Sequence, residues 1–246
     1  MTGVVAITGV AGGIGSATAA AFHAAGWTVV GADVVDPPSS TPLDGFRKID
    51  LRSPDAGDTL ATFFAELPSL DALVNAAAAQ GTDTIEATSV TAWSEVLDGN
   101  ARGTFLAMQA ARPHLRRALG AVVNVASVHA VATSTGAAAY AASKGAVVAL
   151  TRAAAIEWAP EVRVNAVLPG AIDTPMLRQG VGRWSGADGT EAALARIAER
   201  TPLGRIGRPD EIAQTILFLA DGRRASFITG QSLVADGGAL AKLSTE

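Results

Sequence analysis

Val4-Val5-Ala6-Ile7-Thr8-Gly9-Val10-Ala11-Gly12-Gly13-Ile14-Gly15 decides how the rest of the chain is read. Its first four residues are apolar without alternation, the pattern of a strand buried on both faces. Glycines follow at once, and Ser16 to Ala25 then predicts a helix. Strand, glycine loop and helix in direct succession are the setting in which glycine spacing carries meaning. The glycines permit a tight turn and close approach of a ligand to the backbone. The helix start offers unpaired N–H groups and the positive end of its dipole to a pyrophosphate.

Outward from this stretch, a second strand is predicted over 27–32, ending at Asp33. A carboxylate there accepts hydrogen bonds from both ribose hydroxyls of NAD and repels the 2′-phosphate of NADP. Neither Gly12 nor the residues just after Asp33 bring an arginine to hold that phosphate, so NAD is the expected cofactor. Further strands are predicted over 46–49, 71–75, 121–127, 162–168 and 232–235. Helices are predicted over 54–66 with Ser53 as N-cap, 91–112 with Pro113 ending or kinking it, 138–159, 190–200 and 209–219. Strands alternating with helices predict an α/β fold: one Rossmann-type, doubly wound parallel sheet with helices on both faces. No repeat or linker divides the chain, which reads as a single domain over 1–246. The polar, glycine-rich segment after Pro175 and the helix that follows read as a lid at about 175–205, inserted over a cleft.

The chain has 246 residues, no cysteine and a net charge of −4. It is long enough for one large core. The missing cysteines exclude disulfides and thiolate metal sites and fit a cytoplasmic enzyme. Without a dense basic patch, nucleic acid is not an expected partner. No apolar run reaches membrane-spanning length, and the N-terminal residues do not read as a signal peptide.

A second stretch carries chemistry. Tyr140 and Lys144 stand four residues apart in an alanine-rich helical segment, hence on one helix face. Ser127 ends the preceding strand, where it is placed to meet them. Phenol, ammonium and hydroxyl together make an acid/base site for converting a hydroxyl to a carbonyl. Asn100, between Gly99 and Gly103 inside a predicted helix, suggests a local distortion with a purpose.

Taken together, these motifs resemble the short-chain dehydrogenase/reductase family over essentially the whole chain. Thr8-Gly9, Gly13, Ile14 and Gly15 match its cofactor loop, Asp33 its NAD-type acidic position, and Asp50-Leu51 its adenine-side pair. Asn100, Ser127, Tyr140 and Lys144 match its catalytic tetrad in order and spacing. Pro169-Gly170 through Ile172 and Thr174 match its nicotinamide-side segment, and Asp236-Gly237-Gly238 its C-terminal turn. One motif departs: where the family has Asn-Asn-Ala-Gly, this chain has Asn75-Ala76-Ala77-Ala78, so a side chain replaces a glycine near the cofactor.

The resemblance implies that Tyr140 exchanges the alcohol proton. It also implies that Lys144 and the positive nicotinamide ring lower the phenol pKa, and that Lys144 holds the nicotinamide ribose. Ser127 is implied to polarise the substrate oxygen, and Asn100 to support a water-linked proton path to Lys144. No metal is required. A homo-oligomer, tetramer or dimer, is implied through the long helices carrying Asn100 and Lys144. Substrate contacts are expected from His129 and Gln80, with Met176 and Trp184 as apolar walls of the lid. Similar histidine and glutamine residues occur in family members acting on 3-hydroxybutyrate. Those members carry a lysine where this chain has Ala137, which moves the expectation toward a polar, hydroxylated or cyclic alcohol. The alternatives are an NADPH-dependent 3-oxoacyl reductase, against which Asp33 argues, and a non-catalytic dinucleotide-binding protein, against which the intact tetrad argues.

Overall fold

Seven strands of the computed structural model, which describes residues 3–183, 185–186 and 189–242, form one sheet in the order β3-β2-β1-β4-β5-β6-β7. They are β1 (Val4–Thr8), β2 (Thr28–Asp33), β3 (Gly45–Lys48), β4 (Ala72–Asn75), β5 (Ala121–Val125), β6 (Arg163–Pro169) and β7 (Ser232–Ala235), and every pairing is parallel. Helices α1 (Gly13–Ala24), α2 (Ala56–Ala65), α3 (Val90–Leu97), α4 (Gly103–Ala118), α5 (Ala138–Glu157), α6 (Pro175–Gly182), α7 (Gly189–Arg200) and α8 (Pro209–Ala220) connect them.

Alternate residues of β1, β2, β4 and β5 feed two cores. Val5 and Ile7, Val29, Ala72 and Val74, and Val123 and Val125 pack with Phe22 of α1 and Ile212, Ile216 and Leu219 of α8. Ala6, Val30, Leu73 and Val122 pack instead with Leu60 and Phe63 of α2, Met108 and Leu115 of α4 and Ala154 of α5. Both faces are therefore covered, which is why the strands carry apolar residues without alternation. Since β2 and β3 lie on one side of β1 and β4 on the other, the connections part at β1 and β4. A crevice opens there beyond the carboxyl ends of the strands.

The structure corrects several predicted boundaries. Ser53 does not cap α2: Asp55 precedes that helix without a side-chain cap, and the Ser53 hydroxyl donates to the Asp55 carboxylate. Pro113 lies inside α4, which runs on to Ala118 and ends at Leu119 in the left-handed region, φ 52°. Packing of Met108, Ala111 and Leu115 into the core holds the helix together through the proline. The single helix predicted over 91–112 is two helices joined by a π-turn, Asp98–Arg102. The polar, glycine-rich segment after Pro175 contains α6. With α7 it forms its own small apolar cluster of Val181, Ala193 and Leu194, bordered by Leu177 and Ile197.

Candidate active site

The crevice between β1, β2 and β4 is a cleft of about 370 Å³ lined by Gly9, Ala11, Gly12, Asp33, Asp50, Leu51 and Ala76 to Ala79, among others. Gly9 takes φ 71°, and a Cβ there would lie 2.4 Å from the backbone of Ala77. A Cβ on Gly15 would lie 2.0 Å from the Gly9 carbonyl oxygen. The two glycines thus let loop, first helical turn and β4 wall close on one another. Gly12 caps α1 without a side-chain hydrogen bond, leaving the helix start to face a ligand. Gly13 makes room for the Thr174 methyl, whose carbon would be 2.8 Å from a Cβ there. Thr174 in turn accepts from Leu177 N and donates to the Ile172 carbonyl, capping α6. On the other side, Asp236 packs on Gly170 and accepts from the N–H groups of Gly238 and Leu240.

Asp33 is built into the loop. One carboxylate oxygen accepts from Ala11 N at 2.9 Å, and the other from Val34 N at 2.7 Å and Val35 N at 3.3 Å. Asp50 accepts both Nε and Nη2 of Arg52, at 2.9 and 2.8 Å, which holds its carboxyl below the usual range. These residues fit an adenosine diphosphate moiety: open backbone donors at a helix start, acceptors for ribose hydroxyls, and an apolar slot of Leu51 and alanines.

Asn75 is placed differently from its expectation. Strand register sets Thr8, Asn75 and Asn124 abreast. The buried Asn75 amide accepts from Thr8 Oγ1 at 3.4 Å and donates to Asn124, which donates to Thr151 on α5. Its side chain ties β1, β4 and β5 together beneath the site and does not line the cleft. The departure at Ala78 costs no backbone strain, since Leu119 is the one non-glycine residue with positive φ among those described. The Ala78 methyl lines the cleft wall.

Ser127, Tyr140 and Lys144 converge. Ser127, buried at the end of β5, accepts from His129 N at 3.2 Å as cap of a 3₁₀ turn over Val128–Ala130. Burial raises the Tyr140 phenol pKa, and a hydrogen bond from Ser127 offsets part of that rise. Lys144 Nζ donates to the Val125 carbonyl at 2.9 Å and stands 5.6 Å from the Tyr140 ring centroid. Burial brings Lys144 down to about 8. The phenol-lowering action expected of Lys144 is thus outweighed in the protein alone, because desolvation of the phenol dominates and the ammonium is bound to a backbone carbonyl.

Asn100 occupies the π-turn and is fully buried. Its Oδ1 accepts from Ala79 N at 2.6 Å, while Nδ2 donates to the Ala79 carbonyl and to Ser143 Oγ, both at 2.9 Å. Ser143 donates to the Tyr140 carbonyl at 2.7 Å. All of the amide's hydrogens are engaged by protein, so the side chain fixes the cleft wall to the catalytic helix. Asn100's own carbonyl accepts from Thr104 Oγ1.

Among the expected substrate residues, His129 joins the catalytic group. Its ring meets Tyr140 edge-on, centroids 5.5 Å apart, and Nδ1 pairs with Thr133 Oγ1 at 2.8 Å. Burial lowers its pKa, keeping it neutral near pH 7. Gln80 lies apart, in a smaller cavity with Gly81, Ala139 and Arg183, its amide against Gly180 and its Oε1 buried without a partner. Met176 lines the dinucleotide cleft. Trp184 lies outside the described residues. Sequence reading missed Arg52, Ser143, Thr133 and the Asn124–Thr151 pair. Ser143 had a signal, since it shares the α5 face of Tyr140 and Lys144. No group of His, Cys, Asp or Glu among the described residues is arranged to hold a metal.

Comparison with known proteins bears on this geometry. A family model described as "Enoyl-(Acyl carrier protein) reductase" matches residues 9–239. A cyclopentanol dehydrogenase from Comamonas sp. (strain NCIMB 9872) is 41% identical over 179 residues, 72% of this chain and 68% of that protein. A cis-4-hydroxycyclohexanecarboxylate dehydrogenase from Sinomonas cyclohexanicum is 36% identical, covering 96% of this chain and 95% of its own. The ligand-free structure of aldohexose dehydrogenase from Thermoplasma acidophilum superposes with TM-score 0.93 at 34% identity, over 99% of this chain and 96% of that one. With glycine loop, tetrad and sheet order in place, the chain belongs to the short-chain dehydrogenase/reductase family, oxidoreductases that use a nicotinamide dinucleotide.

Proposed function

We propose that this protein is an NAD(H)-dependent dehydrogenase that interconverts a secondary alcohol and a ketone on a cyclic or polyhydroxylated substrate. The meeting of Ser127, Tyr140 and Lys144 beside the dinucleotide cleft carries the reading. Gly9 to Gly15 receive the pyrophosphate, Asp33 the adenosine ribose, and Asp50 and Leu51 the adenine. Ile172 and Thr174 border the nicotinamide half, and Lys144 holds its ribose. The bound nicotinamide supplies the hydride acceptor or donor.

Tyr140 Oη takes the alcohol proton during oxidation and returns it during reduction. Because burial holds that proton tightly, positive charge at Lys144 and on the oxidised ring is what favours the phenolate. Ser127 Oγ donates to the substrate oxygen as charge develops on it. His129, neutral and held by Thr133, presents its other edge to the substrate's further hydroxyl groups. Helices α6 and α7 act as the lid, seated on the glycine loop through Thr174 and Gly13.

The named substrates of the relatives, a cycloalkanol, a hydroxylated cyclohexane acid and an aldohexose, support a ring-bearing secondary alcohol. Exposed Trp93 and Phe105 on α3 and α4, with Ile156 on α5, support a homo-oligomer built on these helices. No helix among the described residues is long and apolar enough to cross a membrane, and the cysteine-free composition suits the cytoplasm. The test is a panel of cyclic alcohols, aldoses, 3-hydroxybutyrate and a 3-oxoacyl thioester, assayed with both cofactors at 340 nm. The reading expects the highest kcat/KM for a hydroxylated ring with NAD(H). Preference for the thioester with NADPH would overturn it.

A further inference from the structure

Three charged side chains line the dinucleotide cleft among the described residues: Asp33, Asp50 and Arg52. Arg52 is thus its one cation. Ile49 N donates to the Asp33 carbonyl at 2.9 Å, so the segment carrying Asp50 and Arg52 continues directly beside Asp33. The Arg52 guanidinium is gripped at two points by Asp50, and its backbone N–H bonds the same carboxylate at 2.9 Å. Its stem passes Gly99 of the π-turn, and Glu95 adds a weaker attraction. Both partners are nearly half exposed, 46% and 42%, so the pair stands at the mouth of the cleft.

A guanidinium is the side chain best shaped to grasp a phosphate. In this cleft it is already grasped, and two anions stand against one cation. We infer that Asp50 is a cofactor-selecting residue: by sequestering Arg52 it withholds from a 2′-phosphate the only cation the cleft could offer. This rests on the reading of the cleft as a dinucleotide site, and adds to Asp33 a second, indirect source of discrimination. Removing the Asp50 charge leaves one anion and a released guanidinium. Removing Arg52 leaves two anions and no cation. The two changes therefore move selectivity in opposite directions.

Calorimetric titration of the purified protein with 5′-AMP and with adenosine 2′,5′-bisphosphate, at fixed low ionic strength, gives a ratio of Kd values that needs no turnover. Relative to wild type, Asp50→Asn should shift that ratio about fivefold toward the bisphosphate, the scale of a well-formed exposed ion pair. Arg52→Ala should shift it away. The double variant, Asp50→Asn with Arg52→Ala, should lose the gain seen in Asp50→Asn. Shifts of the same sign in both single variants, no shift in either, or a gain that survives in the double variant would overturn the inference. Tighter wild-type binding of the bisphosphate would contradict the NAD reading alone, because each variant is compared with wild type. Failure of wild type to bind either nucleotide would overturn both.

Discussion

Tyr140 and Lys144 answer burial in opposite senses. The phenol holds its proton more tightly than usual, while the ammonium releases its proton at about 8 in place of the ordinary 10.5. In the unfolded chain Lys144 stays protonated up to that ordinary value. Between pH 8 and 10 the unfolded state therefore binds more protons, and the folded state gains stability as pH rises. Above about pH 10 the raised phenol reverses the trend, since the unfolded tyrosine then ionises first. Urea unfolding of wild type and Lys144→Met should show the wild type gaining on the variant between about pH 7.5 and 9.5. Parallel curves would show that Lys144 is not desolvated as described. At this scale the tetrad was legible because residue type and spacing carry it. Neither the Val125 carbonyl under Lys144 nor the Asp50 grip on Arg52 was, because both depend on side-chain direction. The desolvation that dominates at Tyr140 in the protein alone was not legible either: charge proximity can be read from spacing, but burial cannot.

The π-turn between α3 and α4 is the element on which the site depends most. It turns the Asn100 side chain inward, where its amide bonds Ala79 and Ser143 and so couples the cleft wall to α5. Asn100→Ala would leave the N–H and carbonyl of Ala79 in need of partners and remove the donor to Ser143 Oγ. It should cost about 2–4 kcal/mol, read from urea unfolding, along with most of the activity. A loss below about 0.5 kcal/mol would show that water replaces the amide without consequence. The flanking Gly99 and Gly103 announced a distortion, although its π geometry lay beyond sequence reading. Gly103 is needed because a Cβ would meet Leu51 at 2.8 Å. Pro113 misled in the other direction, since α4 runs through it with Met108, Ala111 and Leu115 packed in the core. Helix α6 was hidden because it is short and carries Gly180 and Gly182, and it is started by Thr174 and Pro175.

Across the whole molecule, the order of elements gave the architecture, because parallel strands buried on both faces leave a strong apolar signature. The pairing of strands into β3-β2-β1-β4-β5-β6-β7 places the glycine loop, Asp33 and the tetrad along one edge of the sheet. What the β7 side of the sheet presents to solvent was not legible: Phe227, just before β7, is fully exposed, and Leu233 and Val234 on β7 are also open. Together with the apolar faces of α3 and α4, this leads to a testable expectation of assembly. Sedimentation at micromolar concentration should give a multiple of the chain mass, and Phe105→Glu should lower it. A wild-type monomer would contradict the proposed assembly. The central claim, that Tyr140 moves the proton in a hydride-transfer reaction, is tested most directly by Tyr140→Phe, assayed for NADH formation from the best cyclic alcohol. Fluorescence titration with NADH on the same sample reports the cofactor site. The account predicts unchanged NADH affinity and a kcat reduced by at least about 10²-fold, the scale of lost acid/base catalysis. Near-normal turnover in the variant, with NADH still bound, would contradict it.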